Sequence, residues 1–210
     1  MQARAERGLL EDLEMTWLQP ATLRTVRATL VPLEAAHHDG LVEAVKDGEL
    51  WKLWYTQIAS PEEMRAEIDR RLSLQAAGSM LPFTVFDNDT GRTAGMTTYM
   101  NVDAKNKRVE IGSTWYRKGV QRTSLNTQCK LALLGHAFET LDCIAVEFRT
   151  HFFNSASRRA IERLGAKLDG ILRSHQRLAD GSLRDTCVYS ILASEWPSVR
   201  NHLRWQLERR

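Results

Sequence analysis

The residues best placed to do chemistry form a strand, a polar loop and the start of a helix. The strand is Val109–Trp115, and Gln121–Thr127 opens a long helix after a short loop. A strand that leads through a polar loop into a helix N-terminus brings several backbone N–H groups to the positive end of the helix dipole. Such a point binds anions, above all a pyrophosphate. The alternative is an ordinary capped helix beside a lysine-containing loop, and the residues alone leave both interpretations open.

The charge distribution bears on the same segment. From Tyr116 to His136 the chain has no acidic residue and four basic ones, which are Arg117, Lys118, Arg122 and Lys130. Such an island can attract an anionic ligand, although a charge run is more commonly a solvated face. The whole chain has 29 basic and 26 acidic residues, a net charge of +3. That balance does not indicate a nucleic-acid-binding protein.

Helices and strands must position this segment, and their order is mixed. Hydrophobic alternation predicts strands at Leu23–Pro32, Pro82–Phe86, Thr93–Asn101, Arg108–Thr114, Ile144–Thr150 and Arg184–Leu192. Helical spacing and caps predict helices at His37–Lys46, Ser60–Ala77, Ser124–Thr140 and Asn154–Leu164, with a last helix opening at Glu195. An antiparallel run followed by alternating strands and helices predicts an α+β or three-layer domain around one central sheet.

Length and composition fit a single soluble domain. The chain has 210 residues, of which 43% are hydrophobic and 26% charged. Its cysteines, Cys129, Cys143 and Cys187, are scattered and lack CxxC spacing, which favours buried thiols in a reducing compartment over disulfides or a metal site. No apolar run is long enough to cross a membrane and no secretion signal opens the chain, so we expect a cytoplasmic protein without a metal.

The sequence predicts three parts. Residues 1–20 form an appendage with Leu9, Leu10, Leu13 and Trp17 at helical spacing. Residues 21–194 form the main domain. Residues 195–210 form a C-terminal helix that packs on the domain or on a partner subunit. The apolar faces of the two terminal helices leave a homodimer open.

Three motifs are similar to those of one family. Gln121–Asn126 falls on a Q/R-x-x-G-x-G/A loop, and Glu110–Trp115 reads E-I-G-x-x-W before it. A third pattern, an asparagine and a serine followed by L-G-A, is matched by Asn154, Ser157, Leu164, Gly165 and Ala166. These features resemble the GCN5-related N-acetyltransferases (GNAT), and within them the RimJ/RimL-like branch. The resemblance covers Thr22 to Ala193, and the acetyltransferase domain would then be 21–194.

The resemblance implies a fold and a co-substrate. The fold is a three-layer α/β/α domain with a mixed, mostly antiparallel sheet that splays at an acetyl-CoA cleft. By resemblance, the phosphates would bind the loop and helix start, and the pantetheine would pair with the strand and with Asn154. The implied cofactor-binding residues are Ile111, Gly112, Ser113, Thr114, Gln121, Arg122, Thr123, Ser124, Leu125, Asn126, Thr127 and Asn154. Ser124 replaces the glycine of the motif, and we expect this replacement to change how tightly the loop binds the phosphates.

The resemblance also implies direct attack of an amine on the thioester, which needs a base and a donor to the leaving sulfur. Glu110 is the predicted base; the alternative is an outward-facing strand glutamate. The family tyrosine that donates to sulfur is replaced by Ile161, and Ser157 is the predicted substitute, unless its hydroxyl bonds the preceding turn. His151, at a strand end, is a further residue that could border the cleft.

Trp51, Trp54 and Tyr55 lie between the two early helices, where members of the family place the acceptor side of the cleft. The resemblance implies an aromatic wall for a substrate, and core packing is the alternative. The predicted function is acetyl-CoA-dependent N-acetylation of a primary amine, on a small molecule or a protein N-terminus. Two alternatives are a catalytically weak acyl-CoA-binding sensor or structural protein of the same fold, and a basic interaction module without a cofactor.

Overall fold

The computed structural model describes residues 17–209. Its eight strands form one sheet: β1 (Leu23–Arg24), β2 (Ala28–Pro32), β3 (Met80–Asp87), β4 (Arg92–Asp103), β5 (Arg108–Tyr116), β6 (Ala145–His151), β7 (Lys167–Arg177) and β8 (Leu183–Leu192). The α-helices among these residues are α1 (His38–Lys46), α2 (Met64–Ala76), α3 (Leu125–Gly135), α4 (Ser155–Arg163) and α5 (Trp196–Glu208). The strand order is β1-β2-β3-β4-β5-β6-β8-β7.

One strand pair creates the functional geometry. The neighbours in the sheet are antiparallel except β5 and β6, which run parallel. Their pairing is confined to Arg108–Glu110 of β5 and Ala145–Glu147 of β6. Beyond it, Ile111–Tyr116 and Phe148–His151 diverge, and we call the space between these two stretches the gap. The prediction of a mixed, mostly antiparallel sheet that splays is therefore confirmed.

Helices cover the sheet on both faces and give it two cores. The larger core contains α3 residues such as Leu125 and Leu133, packed with Val109 and Ile111 of β5. The smaller core joins α1 and α2 to Met96 and Trp115 on the opposite face. Alternation alone would put Val109, Ile111 and Trp115 on one face, but the register of β5 against β4 shifts by one residue between Gly112 and Trp115, so Trp115 joins the other core. The result is the predicted three-layer α/β/α arrangement.

Two predictions about the strands need correction. The single strand Leu23–Pro32 is two antiparallel strands, because the backbone N–H and hydroxyl of Thr25 both bond the carbonyl of Ala28 and turn the chain there. The whole of β7 was missing from the prediction. It is an edge strand paired only with β8, and nearly all its side chains are exposed, so it lacks the buried alternation that marks a strand.

The predicted helix start at Ser60 is four residues early: Ser60 and Glu63 bond each other across a turn, and α2 begins at Met64. Other predicted features are confirmed. The turn from Asp87 to Gly91 joins β3 to β4, with Gly91 at a φ of +68° that glycine readily adopts. The predicted long helix is α3 continued by a π-helical turn from His136 to Thr140.

The chain ends pack on the sheet where they are described. Most of the predicted 1–20 appendage lies outside the described residues. Within them, the indole N–H of Trp17 donates to the carbonyl of Leu141 at 3.0 Å. Helix α5 buries Trp196, Val199 and Leu203 in the larger core. Over residues 17–209, none of the helices has the length and apolar character that a bilayer crossing requires.

Candidate active site

The β5 wall of the gap is shaped by a bulge. Ser113 has a φ of +44°, and the register of β4 against β5 shifts between Met96 and Thr98, opposite it. A bulge adds a residue to one strand and bends it, which re-aims the backbone groups beside it. The edge formed by Ile111–Thr114 has no β6 partner in the ladder, so its backbone groups face the gap. An extended ligand can pair with this edge as a further strand would.

One residue of the loop before α3 has an unusual backbone conformation. Arg122 has a φ of +62°, in the left-handed region that favours glycine. Ser124 has a φ of −72° and a ψ of −14°, which any residue adopts. The motif glycine is therefore replaced where serine costs no backbone strain. The side chains of Gln121 and Thr123 donate to the carbonyls of Tyr116 and Val120 and hold the loop in shape.

An open cavity of about 600 Å³ lies at the start of α3, lined by Arg122, Thr123, Ser124, Gln128 and Leu207. The amides of Asn126 and Thr127 belong to the first helical turn, where N–H groups have no intrahelical acceptor. Together with the helix dipole and the Arg122 guanidinium, they suit a diphosphate. The Leu125 side chain is fully buried and can offer only its backbone. The Thr127 hydroxyl is buried too and accepts from Arg163 at 3.1 Å.

Asp47, at the end of α1, fixes this loop and was missed by the sequence analysis. Its carboxylate accepts from Arg117 Nε at 3.0 Å and from the Gly119 backbone N–H at 3.1 Å. Its backbone carbonyl accepts from the Lys118 N–H at 2.9 Å. The hydrogen bond from Arg117 is the main cause that lowers the pKa of Asp47. No spacing rule connects residue 47 to residues 117–119, so only the fold reveals the contact.

Glu110 lies where β5 and β6 part. It is only 5% exposed, so the alternative of an outward-facing glutamate is wrong. Asn101 Nδ2 donates to its Oε2 at 2.6 Å, and Arg149 Nε lies 3.6 Å from the same oxygen. Burial raises its pKa, and Asn101 and Arg149 partly oppose that rise. A carboxyl with a raised pKa in a cleft has the properties of a proton acceptor near neutral pH.

Gly112 leaves room for this carboxylate. A Cβ at position 112 would meet Glu110 Oε1 and Met100 Sδ, each at 2.8 Å. The carboxylate therefore lies across the glycine, directed along β5 towards the bulge. The glycine of the E-I-G motif is explained by this close approach rather than by its backbone angles.

Asn154 and Ser157 lie at the start of α4, directly after β6. The Asn154 side chain caps the helix by accepting from the Ser157 N–H at 3.0 Å, which leaves its Nδ2 as the group that can donate to a ligand. Within residues 17–209 the Ser157 hydroxyl has no hydrogen-bond partner, so the predicted alternative of a bond to the preceding turn is not observed. Ile161 is buried in the larger core, and no hydroxyl replaces the missing tyrosine there.

Aromatic residues cover the far end of the gap. Trp54 is 56% exposed, and its ring lies 5.1 Å from the His151 ring and 5.9 Å from that of Phe153. Tyr55 packs edge-on against Trp54. Trp51 packs against the smaller core, as the alternative interpretation had it. Of the three predicted aromatic residues, Trp54 and Tyr55 lie together near the end of β6.

His151 is placed under this aromatic cover. It is 2% exposed, and its Nδ1 accepts from the Phe153 N–H at 3.1 Å, so the neutral ring carries its proton on Nε2. Nε2 is buried and has no partner among the described residues. Burial, then the charge of Arg184, lowers the pKa of His151. The sequence placed His151 at a strand end but gave no sign of this unpaired donor.

The described part of the chain contains no group of three or more His, Cys, Asp or Glu side chains that could hold a metal ion. Cys129, Cys143 and Cys187 are buried and free, as predicted.

Comparison with known proteins identifies the family. Residues 27–167 match the model of the acetyltransferase (GNAT) domain. An acetyltransferase structure from T. thermophilus is 30% identical, with a TM-score of 0.79, covering 91% of this chain and 100% of its own. A GCN5-related N-acetyltransferase from Brucella melitensis is 28% identical, with a TM-score of 0.80, covering 90% and 86%. No curated protein sequence matches the chain.

The chain belongs to the GNAT family, and its class of enzyme is the acetyl-CoA-dependent N-acetyltransferase. Mycobacterium smegmatis RimJ in complex with CoA-disulfide is 19% identical, with a TM-score of 0.76, covering 89% of this chain and 95% of its own. At this identity the likeness concerns the fold alone. The family model confirms the family assignment. The RimJ/RimL-like branch stays a prediction.

Proposed function

We propose that this protein transfers the acetyl group of acetyl-CoA to a primary amine by direct attack within a ternary complex. One observation carries the proposal: Glu110, a carboxyl buried where β5 and β6 part, lies beside the unpaired edge Ile111–Thr114. A base beside an edge that can bind an extended thioester is the arrangement that amine acylation requires.

The donor substrate would lie along β5. The diphosphate would bind the Arg122 side chain and the amides of Ser124, Asn126 and Thr127 at the start of α3. The pantetheine would pair with Ile111–Thr114, as an added strand does, and receive a hydrogen bond from Asn154 Nδ2. Gln121, Thr123 and Leu125 would hold the loop in shape or contribute their backbone groups.

The chemistry needs a neutral amine and a group that removes its proton. The amine nitrogen bonds to the thioester carbonyl carbon, the C–S bond breaks, and the sulfur retains the electron pair. Glu110 would accept the proton that the amine loses, directly or through a water molecule. Backbone N–H groups at the bulge around Ser113 would polarise the carbonyl. The Ser157 hydroxyl is available as a donor to the sulfur.

The acceptor would enter from the face that carries Glu110, under the cover formed by Trp54 and Tyr55. It would be a small-molecule amine or a protein N-terminus. A buried, unpaired Nε2 of His151 beneath Trp54 can donate to a polar group of that acceptor. The proposal includes membership of the RimJ/RimL-like branch and a cytoplasmic location, with a homodimer open.

Thermal unfolding with acetyl-CoA provides the first test. A ligand that binds only the folded state raises the melting temperature by mass action. Acetyl-CoA at millimolar concentration should therefore raise it, and an amine panel should release free CoA thiol. An unchanged melting temperature would overturn the proposal. Binding without thiol release from any amine would favour a sensor or structural role, which the absence of a hydroxyl at Ile161 also suggests.

A further inference from the structure

Lys130 is a buried lysine on the α3 side of the gap. Its Nζ donates to Thr114 Oγ1 at 2.9 Å and lies 3.5 Å from Thr97 Oγ1. It also lies 5.9 Å from the ring centre of Phe148. Thr114 belongs to the β5 wall of the gap and Phe148 to the β6 wall. The amine is therefore held between the two walls, and the residue is 6% exposed.

The charge of this amine has no counterpart. None of the salt bridges among the described residues includes Lys130. One ionisable group bears on it, the Cys129 thiol beside it on α3, which in turn contacts the Tyr116 phenol of β5. Burial raises the pKa of Cys129 to about 12 and that of Tyr116 above its usual range, so both are neutral at physiological pH. The groups that face it from β4, β5 and β6 are two hydroxyls and an aromatic ring.

A buried ammonium without an anion is costly, and proteins seldom retain one for packing alone. Here the neighbouring hydroxyl groups do not need the lysine as a hydrogen-bond partner. Thr97 Oγ1 and Thr114 Oγ1 already lie 2.8 Å apart and can satisfy each other without the lysine. An anion or a strong acceptor that arrives in the gap would supply the missing partner.

We propose that Lys130 is the donor to the coenzyme A sulfur, holding the thioester and stabilising the thiolate that leaves. This inference rests on the proposed function. When the C–S bond breaks, the sulfur takes the electron pair and leaves as a thiolate paired with the Lys130 ammonium, while Glu110 holds the proton of the amine. Glu110 then gives its proton to water, and the thiolate takes up a proton from water as coenzyme A departs, so atoms and charge balance.

The position explains how the site works without the family tyrosine. Ile161 supplies no donor, and the hydroxyl of Ser157 is neutral, whereas the ammonium of Lys130 meets the developing charge with a full opposite charge. Burial lowers the pKa of Lys130 to about 8. At pH 7 a lysine with this pKa is mostly protonated, so its ammonium can pair with the thiolate that leaves.

The test measures the ionisation of bound coenzyme A rather than turnover. Free CoA is titrated against the protein while thiolate absorbance in the ultraviolet is followed with pH. Desulfo-CoA, which has no thiol, is titrated by calorimetry as the matched ligand. An opposite charge within hydrogen-bond reach lowers a pKa by roughly one to three units. We expect the bound thiol of the wild type to show this fall, and Lys130→Met to abolish it with desulfo-CoA affinity unchanged.

Two further variants separate the possible donors. Ser157→Ala should leave the thiol pKa low, and Thr114→Val, which keeps the charge but removes the hydroxyl that orients it, should raise it partly. If Lys130→Met does not fold, Thr114→Val carries the test alone. A low thiol pKa in Lys130→Met, or its loss in Ser157→Ala, would overturn the assignment. Failure of the wild type to bind either ligand would instead overturn the proposed function.

Discussion

The two faces of the gap carry ionisable groups of opposite charge, and on each face burial favours the neutral form of the group. Glu110 lies on the face covered by α1 and α2, and Lys130 on the face covered by α3. Burial raises the pKa of the carboxyl and lowers that of the amine, so that both move towards neutral pH. The partners differ. Glu110 has Asn101 and a nearby Arg149, whereas Lys130 has only neutral partners.

This difference separates two roles. The donors to Glu110 oppose the rise in its pKa, and the carboxylate can accept a proton from a weak acid such as an ammonium or a bound water. An ammonium without an anion stabilises whatever negative charge forms beside it. Pairs of titratable groups whose environments shift their pKa values in opposite directions mark the base and the acid of a site.

Removal of the carboxylate should have the largest effect. Glu110→Gln should lower kcat by roughly 10²–10⁴-fold, the usual contribution of a general base. Its acetyl-CoA affinity, measured by calorimetry, should stay within a few-fold of the wild type. The matched control is Glu43→Gln, since the Glu43 carboxylate is exposed on α1 and pairs with Lys46 of the same helix. Equal losses in the two variants would remove Glu110 from the base role.

Displacement of the same carboxylate should have the next largest effect. Gly112→Ala places a Cβ within 2.8 Å of Glu110 Oε1 and forces the side chain to move. A shift of about 1 Å at a reacting group can reduce the rate by roughly 100-fold. Gly170→Ala is the control, because no atom lies within 4 Å of a Cβ built there. A rate in Gly112→Ala equal to that of this control would show that the carboxylate position is unimportant.

Lys130→Met should stabilise the protein near neutral pH. The fall in the pKa of Lys130 from its usual 10.5 to about 8 corresponds to about 3 kcal/mol. Below pH 8 the lysine is charged in both states and the folded state carries the cost; above about pH 10.5 it is neutral in both. The gain in unfolding free energy should therefore be largest near pH 7 and shrink above pH 8.

Urea unfolding at two pH values measures this gain. The exposed Lys118, changed to Met, serves as the control and should show neither the gain nor its pH dependence. A Lys130→Met protein that is less stable than the wild type at pH 7 would mean that the lysine is a structural tether, contrary to the comparison of the two faces.

Ser124→Gly should have the smallest effect. Since Ser124 already has right-handed helical angles, glycine relieves no strain there, and we expect acetyl-CoA affinity to change by less than about three-fold. The variant to compare with it is Arg122→Gly. Glycine readily adopts the left-handed backbone conformation of residue 122, but the substitution removes the guanidinium. Calorimetry should show a clear loss of affinity only in the second variant. A large gain in Ser124→Gly would show that the backbone of the loop changes when the phosphates bind.

Sequence reasoning reached the parts of the site that depend on local pattern. The strand before the loop, the helix after it and the helix that starts at Asn154 are each encoded by neighbouring residues, and the structure has them. Edge strand β7 was missed because nearly all its side chains are exposed. It is a strand because it pairs with β8, and the hydrophobic pattern does not record that pairing. Asp47 and Lys130 were missed as site residues for a different reason. Their roles depend on contacts with residues far away in sequence, which hydrophobic periodicity and motif spacing do not record.

Asp47 also lies between the segment that carries Trp54 and the loop before α3. It ends α1, and the chain that follows it carries Trp54 to the far end of the gap, while its carboxylate and carbonyl grip the turn at residues 117–119. The segment that leads to Trp54 and the turn at residues 117–119 therefore meet at Asp47. Loss of this one carboxylate would release the turn from the end of α1.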